Sequence, residues 1–291
     1  MNLREKLEIS SHSIFSQIIR SYDVIGDIAV IKIPKKIEHK SDEIARAIMQ
    51  VNQHIKTVLQ QIGPVKGELR LRNLKWLAGE KKTETLHKES GCIFKVDLEK
   101  CYFSPRLSFE RMRVAKQVMP NEIIVNMFAG VGCFSILIAK YAKPRKVYSI
   151  DVNPEAIRYL EENITLNKVN YVVESIKGDA KEVIMSRLQN LADRVLMPLP
   201  EKALEYLNYA LFTLKTNGGK IHYYDFIHAE KGKDPIEEVQ RRVSERLQDA
   251  KVSFRFTFGR IVRTVGPRWY QVVLDIDIYK KDNRAYQYLN N

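Results

Sequence analysis

Residues 121–154 read NEIIVNMFAGVGCFSILIAKYAKPRKVYSIDVNP, and they predict one βαβ unit. An apolar run leads into a turn that contains Gly130 and Gly132, an apolar-periodic segment follows, and a second apolar run ends at Asp151. This order of strand, glycine loop, helix, strand and acid is typical of a site for a nucleoside-containing cofactor. The acid lies 21 residues after Gly130. That is close to the spacing of about 20 residues at which a carboxylate binds a ribose hydroxyl.

The glycine loop departs from the dinucleotide fingerprint, which has a third glycine where this chain has Ser135. A lone G-x-G pair also occurs in ordinary tight turns. A second acid, Asp179, follows a third strand predicted near residues 171–176. Two acids at successive strand ends suit the ribose diol and the adenine amine of a nucleoside without a pyrophosphate. The pattern therefore favours S-adenosylmethionine over NAD.

The length of 291 residues, 45% of them hydrophobic, is enough for one large or two modest domains. The chain has no apolar run of membrane-spanning length and no signal-like N-terminus, so we expect a cytoplasmic protein with no membrane contact. We also expect a monomer. Its three cysteines lack metal-ligand spacing, so neither a metal site nor a structural disulfide is expected.

The charge balance is strongly basic, with 48 Lys and Arg against 35 Asp and Glu and a formal net charge of +13. Basic residues recur in the first third of the chain and again from Arg255 to Arg268, on both sides of the cofactor unit. Such a distribution permits a polyanionic partner, although solvated lysine-rich faces give the same composition.

Three segments are predicted along the chain: a lead-in over residues 1–20 with a helical stretch near 14–20, a small α+β domain over 21–100, and an α/β domain over 101–291. In the small domain two strands flank a turn at Gly26, a helix runs from Ser41 to about Ile62, strands cover residues 67–72, 74–77 and 92–97, and a turn covers 87–91. The large domain ends in a hairpin of residues 253–264 and 269–279. The predicted fold class is a Rossmann-like class I methyltransferase domain with a seven-stranded mixed sheet, preceded by the small α+β domain.

The chain resembles the tRNA (guanine-37-N1)-methyltransferases of archaea and eukaryotes over roughly residues 20–280. The resemblance rests on the segments SYDVIGDIA (21–29), GELR (67–70), TETLHKE (83–89), YFSPRLSFER (102–111), MFAGVG (127–132) and IHYY (221–224). The run FSPRL followed by ER is the specific part. It is more similar to this family than to the related wybutosine-pathway aminocarboxypropyl transferases, which share the fold and the cofactor.

This resemblance implies S-adenosylmethionine as cofactor, tRNA as partner, and methyl transfer to N1 of guanine-37 in the anticodon loop, with a wyosine-pathway intermediate as a further substrate. Guanine N1 carries a proton at neutral pH, so a base is needed, and the charge that develops on O6 needs a donor. By residue match Glu110 is the base and Arg70 is the O6 partner. The matching cofactor-pocket positions are Tyr102, Arg111, Phe128, Gly130, Gly132, Asp151, Val152, Asp179, Ala180 and Pro198.

Several alternatives stay open. Glu110 could serve only as an acid in the first turn of a helix predicted over residues 109–118, where it complements the helix dipole. An aminocarboxypropyl transferase, or a class I methyltransferase that does not act on tRNA, would use the same cofactor residues. The family's usual Asn-Leu-Pro loop is Pro198-Leu199-Pro200 here, which predicts an altered loop or a shifted substrate. The family's separate N-terminal module is expected to be reduced to about 20 residues.

Overall fold

The structure is a computed structural model that describes residues 22–65, 67 and 69–280. The chain divides into two compact units, residues 1–108 and residues 109–291. The helical stretch predicted near residues 14–20 lies outside the described residues. The domain ranges 1–20, 21–100 and 101–291 stay a prediction.

The first unit has an α+β architecture. Four strands form one sheet in chain order: β1 (Asp23–Ile25), β2 (Ile28–Ile31), β3 (Thr57–Gln61) and β4 (Leu74–Gly79). Helix α1 (Ser41–Val51) buries Ile44 and Ile48 in the core of this unit, and it connects the parallel strands β2 and β3. Strands β5 (Glu84–Glu89) and β6 (Cys92–Asp97) form a separate antiparallel pair.

The helix predicted from Ser41 to about Ile62 is wrong beyond Val51. The segment that follows turns back and forms β3, which lies between β2 and β4 in the sheet. Ile55 and Val58 continue the helical spacing of apolar residues, and both are buried. A short apolar run fits a buried strand as well as a helix. Pairing with a strand on each side therefore decides the conformation of residues 57–61.

Two smaller predictions in this unit also need correction. Residues 67–72 were expected to form a strand, but Arg70 N–H donates to the Gly67 carbonyl at 3.1 Å in a turn. Arg70 has a φ of 54°, in the left-handed region that an L-residue rarely adopts. The turn expected over residues 87–91 is confined to Ser90 and Gly91, because His87 lies in β5 and its Nδ1 accepts from Gly26 N–H at 3.1 Å.

The second unit contains the predicted seven-stranded mixed sheet, which is confirmed. Its order is β12-β13-β11-β10-β7-β8-β9. The strands are β7 (Ile123–Asn126), β8 (Lys146–Asp151), β9 (Val173–Lys177), β10 (Arg194–Met197), β11 (Gly219–His228), β12 (Ser253–Gly266) and β13 (Trp269–Lys280). Strands β7 to β11 are parallel to one another, and β13 runs antiparallel to β11 and β12.

Up to residue 280, where the described part of the chain ends, six helices accompany these strands: α2 (Ser108–Ala115), α3 (Cys133–Ala142), α4 (Pro154–Leu166), α5 (Ala180–Arg187), α6 (Ala203–Thr213) and α7 (Pro235–Asp249). Every residue of the central strands β7 and β10 is buried, as their near-continuous apolar sequences require. Parallel strands end at one edge of a sheet, so the loops after β7, β8, β9 and β10 collect there. In open α/β sheets ligands bind at this edge, where the strand order reverses.

Candidate active site

The glycine loop between β7 and α3 has the conformation that its glycines allow. Gly130 and Gly132 have φ values of 54° and 92°. A Cβ at Gly132 would lie 2.4 Å from Leu160 Cδ1, so Leu160 would have to shift, and the positive φ disfavours any side chain at this position. The Gly130 N–H donates to Asp151 Oδ2 at 2.7 Å. The structure therefore joins the predicted loop directly to the predicted acid.

Asp151 ends β8 and is fixed by backbone donors. Its Oδ1 accepts from Asn153 N–H at 2.9 Å. Burial raises the pKa of Asp151, and the N–H groups of Asn153 and Gly130 oppose that shift. The next residue, Val152, is 52% exposed at the end of the strand. A carboxylate has about four acceptor positions, so Asp151 keeps capacity for the hydroxyls of a bound ribose.

Ser135 in α3 occupies the position at which a dinucleotide-binding site has its third glycine. Its hydroxyl is fully buried and accepts from Ser149 Oγ at 2.7 Å and from Asn126 Nδ2 at 3.1 Å. These bonds tie α3 to the ends of β7 and β8. A polar link replaces the close glycine contact of dinucleotide-binding folds.

Asp179 follows β9 and caps α5. Its Oδ1 accepts from Lys181 N–H at 2.7 Å, and its Oδ2 accepts from the Tyr206 hydroxyl at 2.7 Å. The Tyr206 ring meets the Phe128 ring edge-on with 5.2 Å between centroids. Tyr206 thus connects Phe128, in the glycine loop, to Asp179. The sequence analysis missed Tyr206, because its helical position is typical of a core residue.

The remaining predicted pocket residues of this unit lie in α5, in the loop after β10 and in α2. Ala180 is buried in the first turn of α5, and Pro198 is half-buried in the loop that follows β10. Because β10 pairs with β7, this loop leaves the sheet beside the glycine loop. Arg111 is buried in α2.

Glu110 is buried in α2, with 1% of its surface exposed. Its Oε1 accepts from the Tyr224 hydroxyl at 2.8 Å and from Arg113 Nη2 at 2.6 Å. Arg113 Nε lies 3.0 Å from both carboxylate oxygens. Burial and the charge of Glu110 raise the pKa of Tyr224 well above its usual value, so the hydroxyl stays protonated and donates. The Glu110 carboxylate therefore has a fixed orientation.

Arg113 is in turn held by a second buried acid, Asp275 on β13. Arg113 Nη1 donates to Asp275 Oδ2 at 2.6 Å and Nη2 to Oδ1 at 3.0 Å. Gln117 Nε2 also donates to Oδ2, at 2.9 Å. Burial alone would raise the pKa of Asp275, but hydrogen bonds from His222 and Arg113 outweigh it and hold that pKa well below its usual range.

His222 completes this network as a neutral imidazole. Arg194 Nη1 lies 2.7 Å from His222 Nε2, and a guanidinium can only donate, so Nε2 carries the lone pair. The proton is then on Nδ1, which donates to Asp275 Oδ1 at 2.6 Å. Burial lowers the pKa of His222, and this agrees with the neutral form. The chain of contacts from Glu110 to Arg194 couples α2 to β11, β13 and β10.

Arg70 and Tyr102 lie together in the first unit. The Arg70 guanidinium carbon is 4.0 Å from the centroid of the Tyr102 ring, within the range of a cation–π contact. Arg70 is buried. Direct contacts thus join these predicted site residues within three separate groups: Arg70 with Tyr102, Gly130 with Asp151, and Phe128 with Asp179 through Tyr206.

The strand order and the acids at the ends of β8 and β9 define a class I methyltransferase fold. Residues 85–253 match the TRM5/TYW2 methyltransferase domain, and residues 3–83 match the TYW2 N-terminal domain. The chain therefore belongs to the TRM5/TYW2 family, and the resemblance seen in its sequence is confirmed. No helix among the described residues is long and apolar enough to cross a membrane.

Three curated relatives show the range of this family. The chain is 43% identical over 258 residues to the tRNA (guanine(37)-N(1))-methyltransferase Trm5b of Pyrococcus abyssi, covering 89% of this chain and 74% of that protein. It is 42% identical over 257 residues to the tRNA 4-demethylwyosine(37)-methyltransferase Taw21 of Saccharolobus solfataricus, covering 87% and 92%. It is 38% identical over 259 residues to a tRNA(Phe) (4-demethylwyosine(37)-C(7)) aminocarboxypropyltransferase of Methanocaldococcus jannaschii, covering 87% and 96%.

Solved structures give the same fold. Trm5b from Pyrococcus abyssi aligns with a TM-score of 0.81 at 40% identity, covering 93% of this chain and 79% of that one. The complex of aTrm5 with tRNALeu aligns with a TM-score of 0.82 at 36% identity, covering 96% and 78%. The TYW2 of M. jannaschii in complex with AdoMet aligns with a TM-score of 0.63 at 31% identity, covering 89% and 100%.

Proposed function

We propose that this chain is an S-adenosylmethionine-dependent methyltransferase that transfers a methyl group to N1 of guanine-37 in the anticodon loop of tRNA. The observation that carries the proposal is the Glu110 carboxylate, which is buried and fixed by Tyr224 and Arg113. It is supported by the carboxylates of Asp151, at the end of β8, and Asp179, after β9. Similarity to Trm5b over 89% of the chain supports the substrate. Its place of action would be the cytoplasm, as a monomer.

The residues at the edge of the sheet fit the cofactor. Asp151 would accept from the ribose hydroxyls and Asp179 from the adenine amine, while Val152 and Phe128 offer apolar surface to the adenine ring. The glycine loop, which has no side chain at Gly132, would lie against the methionine part. When bound, the cofactor supplies an activated methyl group on a sulfonium. The protein's own task is to orient the base and to accept its proton.

Glu110 would accept the N1 proton at a particular oxygen. Oε1 already accepts from the Tyr224 hydroxyl and from Arg113 Nη2, whereas Oε2 accepts only from Arg113 Nε among the contacts that the structure describes. Oε2 therefore keeps lone-pair capacity. The N1 proton would move to Glu110 Oε2 as N1 receives the methyl group. Charge on O6 would be stabilised by the Arg70 guanidinium, which Tyr102 holds by stacking.

A second substrate is favoured by one observation. The chain is 42% identical to Taw21, which is named for 4-demethylwyosine, and 43% identical to Trm5b. The family's loop amide is replaced by Pro198, and a proline side chain cannot donate or accept a hydrogen bond. We therefore add 4-demethylwyosine at position 37 as the second candidate. Both candidates share the cofactor and the transferred group.

The transferred group is the point that separates this proposal from the aminocarboxypropyl transferases. The test uses two cofactor preparations, one labelled in the methyl group and one in the carboxypropyl carbons, with tRNA carrying guanine at position 37 and tRNA carrying 4-demethylwyosine. Label from the methyl group should enter tRNA. Label that enters only from the carboxypropyl carbons would overturn the proposal, and a tRNA with adenine at position 37 is the matched control.

A further inference from the structure

We propose that an exposed surface beside Glu110 binds the bases and phosphates of single-stranded RNA next to the target nucleotide, an inference that rests on the proposed function. We call it the β12 surface and define it by Phe109, Arg260, Arg263, Trp269 and His228. All five residues belong to the second unit. Neither the cofactor site nor the Glu110 network uses any of them.

Strand register places these residues on the same face of the sheet as Glu110. Tyr224, whose hydroxyl binds Glu110, pairs with Val273, and Val273 pairs with Arg260. Direct partners across strands share a face, and residues two apart on one strand share it as well. Gln271 and Trp269 therefore lie on this face, and they pair with Arg263 and Gly266 of β12.

A β-bulge makes this arrangement possible. Arg260 and Arg263 are three residues apart, so in a regular strand they would point to opposite faces. The register shifts between Ile261 and Arg263, which inserts one residue and returns Arg263 to the face of Arg260. Arg263 Nε donates to the Gln271 side chain at 2.7 Å across the strands.

Two exposed aromatic rings mark the ends of this surface. Phe109, the residue before Glu110, is 64% exposed, and the Arg260 guanidinium lies 4.6 Å from its ring centroid. Trp269 is 46% exposed and packs against the exposed His228 with 5.4 Å between ring centroids. Val273, the partner of Arg260, is four positions from Trp269 on β13, which gives a distance of about 14 Å at ~3.4 Å per residue.

The positive charge of β12 and the turn after it favours an anionic partner. Residues 253–269 contain four arginines, Arg255, Arg260, Arg263 and Arg268, and no Asp or Glu. Arginines on an edge strand also discourage pairing with other chains. That role does not require an exposed phenylalanine in contact with Arg260 or an exposed tryptophan in tilted contact with a histidine. Aromatic rings interleaved with arginines are the pattern that binds single-stranded nucleic acid, with bases on the rings and phosphates on the guanidinium groups.

The test measures affinity of the full chain for a synthetic anticodon stem-loop RNA with guanine at position 37, by fluorescence anisotropy over a salt series. Phe109→Ala and Trp269→Ala should each weaken binding by about fivefold to a hundredfold, as expected for loss of one base-stacking partner. Arg260→Gln should reduce the slope of log affinity against log salt by about 0.7. Calorimetric affinity for S-adenosylmethionine should stay unchanged in all three.

Matched controls are Tyr171→Ala, which removes another exposed ring, and Arg241→Gln, which removes an exposed arginine on α7. The inference is overturned if Phe109→Ala and Trp269→Ala bind the RNA like the parent, or if Arg260→Gln changes the salt slope no more than Arg241→Gln. If the three variants weaken binding as expected but the parent transfers no methyl group to tRNA with guanine at position 37, the proposed function is refuted and the surface is supported. A parent that binds no RNA at low salt would refute both.

Discussion

Replacing Asp275 with Asn is expected to destabilise the second unit strongly, because this carboxylate is the centre of the buried network. Asp275 accepts from Arg113, Gln117 and His222 at 2.6 to 3.0 Å, and its side chain is 2% exposed. Asparagine keeps the shape but loses the charge, and its amide nitrogen would face a donor. Arg113 would keep Glu110 as a partner, but Arg113, Gln117 and His222 would share one amide oxygen in place of a carboxylate.

The expected cost follows from the burial of the pair. Removing one partner of a buried ion pair costs about 3–5 kcal/mol when the other charge is left uncompensated. This is an upper limit here, because Arg113 keeps Glu110 as a second partner. In a unit of this size each kcal/mol lowers Tm by roughly 2–4 °C. Asp275→Asn should therefore lower Tm by up to about 20 °C. A matched control is Asp277→Asn on the same strand and face, whose partners are Lys220 and Arg255 near the surface. That change should cost only about 0–1 kcal/mol.

Scanning calorimetry and urea unfolding of the two variants beside the parent provide the measurement. An Asp275→Asn protein that melts within a degree or two of Asp277→Asn would refute the reasoning, because it would mean that the network contributes no more than an exposed pair. A large loss of Tm with a native far-ultraviolet spectrum at low temperature is the result that the geometry predicts.

Three further predictions concern pH, catalysis and cofactor binding. Burial lowers the pKa of His222, so below pH ~6.5 the unfolded chain binds a proton that the folded chain does not. The free energy of unfolding should therefore fall on acidification by up to about 1.4 kcal/mol per pH unit. Urea unfolding at pH 7 and 5 should show this loss in the parent, and an equal loss in His222→Gln would contradict the prediction. Glu110→Gln and Arg70→Ala should each slow single-turnover methyl transfer by roughly 10²–10⁴ with cofactor affinity retained. A Glu110→Gln enzyme as fast as the parent would reduce Glu110 to a structural acid at the start of α2. Asp151→Ala should lose most of its calorimetric affinity for S-adenosylmethionine because the ribose loses a charged acceptor, and unchanged binding would remove Asp151 from the pocket.

The cofactor unit could be predicted because its sequence and its structure agree locally. The strand before the glycine loop is a short apolar run in which every residue but the last is apolar and all are buried, and the strand after it alternates buried and half-buried residues over its first half. The helix between them has a left-handed glycine at its start. Asn153 and Asp179 are capping residues at helix starts, and the sequence pattern identifies such positions well. These local features made the βαβ unit of residues 121–154 and the third strand near residues 171–176 predictable.

The errors in the first unit have one physical cause. Residues 55–61 carry apolar side chains at a spacing that fits both a helix and a buried strand, and only the pairing with β2 and β4 separates the two. The turn at Arg70 depends on a left-handed residue that is not glycine, which no propensity predicts. In both cases contacts between distant segments override the local preference.

The network behind Glu110 could not be predicted for a similar reason. Arg113 and Asp275 are 162 residues apart in sequence, and Tyr224 is 114 residues from Glu110. Nothing near Asp275 in an alternating strand distinguishes a buried carboxylate from a solvated one. The assignments of Glu110, Arg70 and the cofactor residues stay predictions that the proposed experiments test.

The most direct test of the central claim locates the new methyl group. A tRNA transcript with guanine at position 37 would be incubated with the protein and S-adenosylmethionine, cleaved with a base-specific nuclease, and analysed by liquid chromatography and mass spectrometry beside a transcript with adenine at that position. We expect 1-methylguanosine in the fragment that contains position 37 and no product from the adenine transcript. A methyl group at another nucleotide, or equal methylation of both transcripts, would contradict the account.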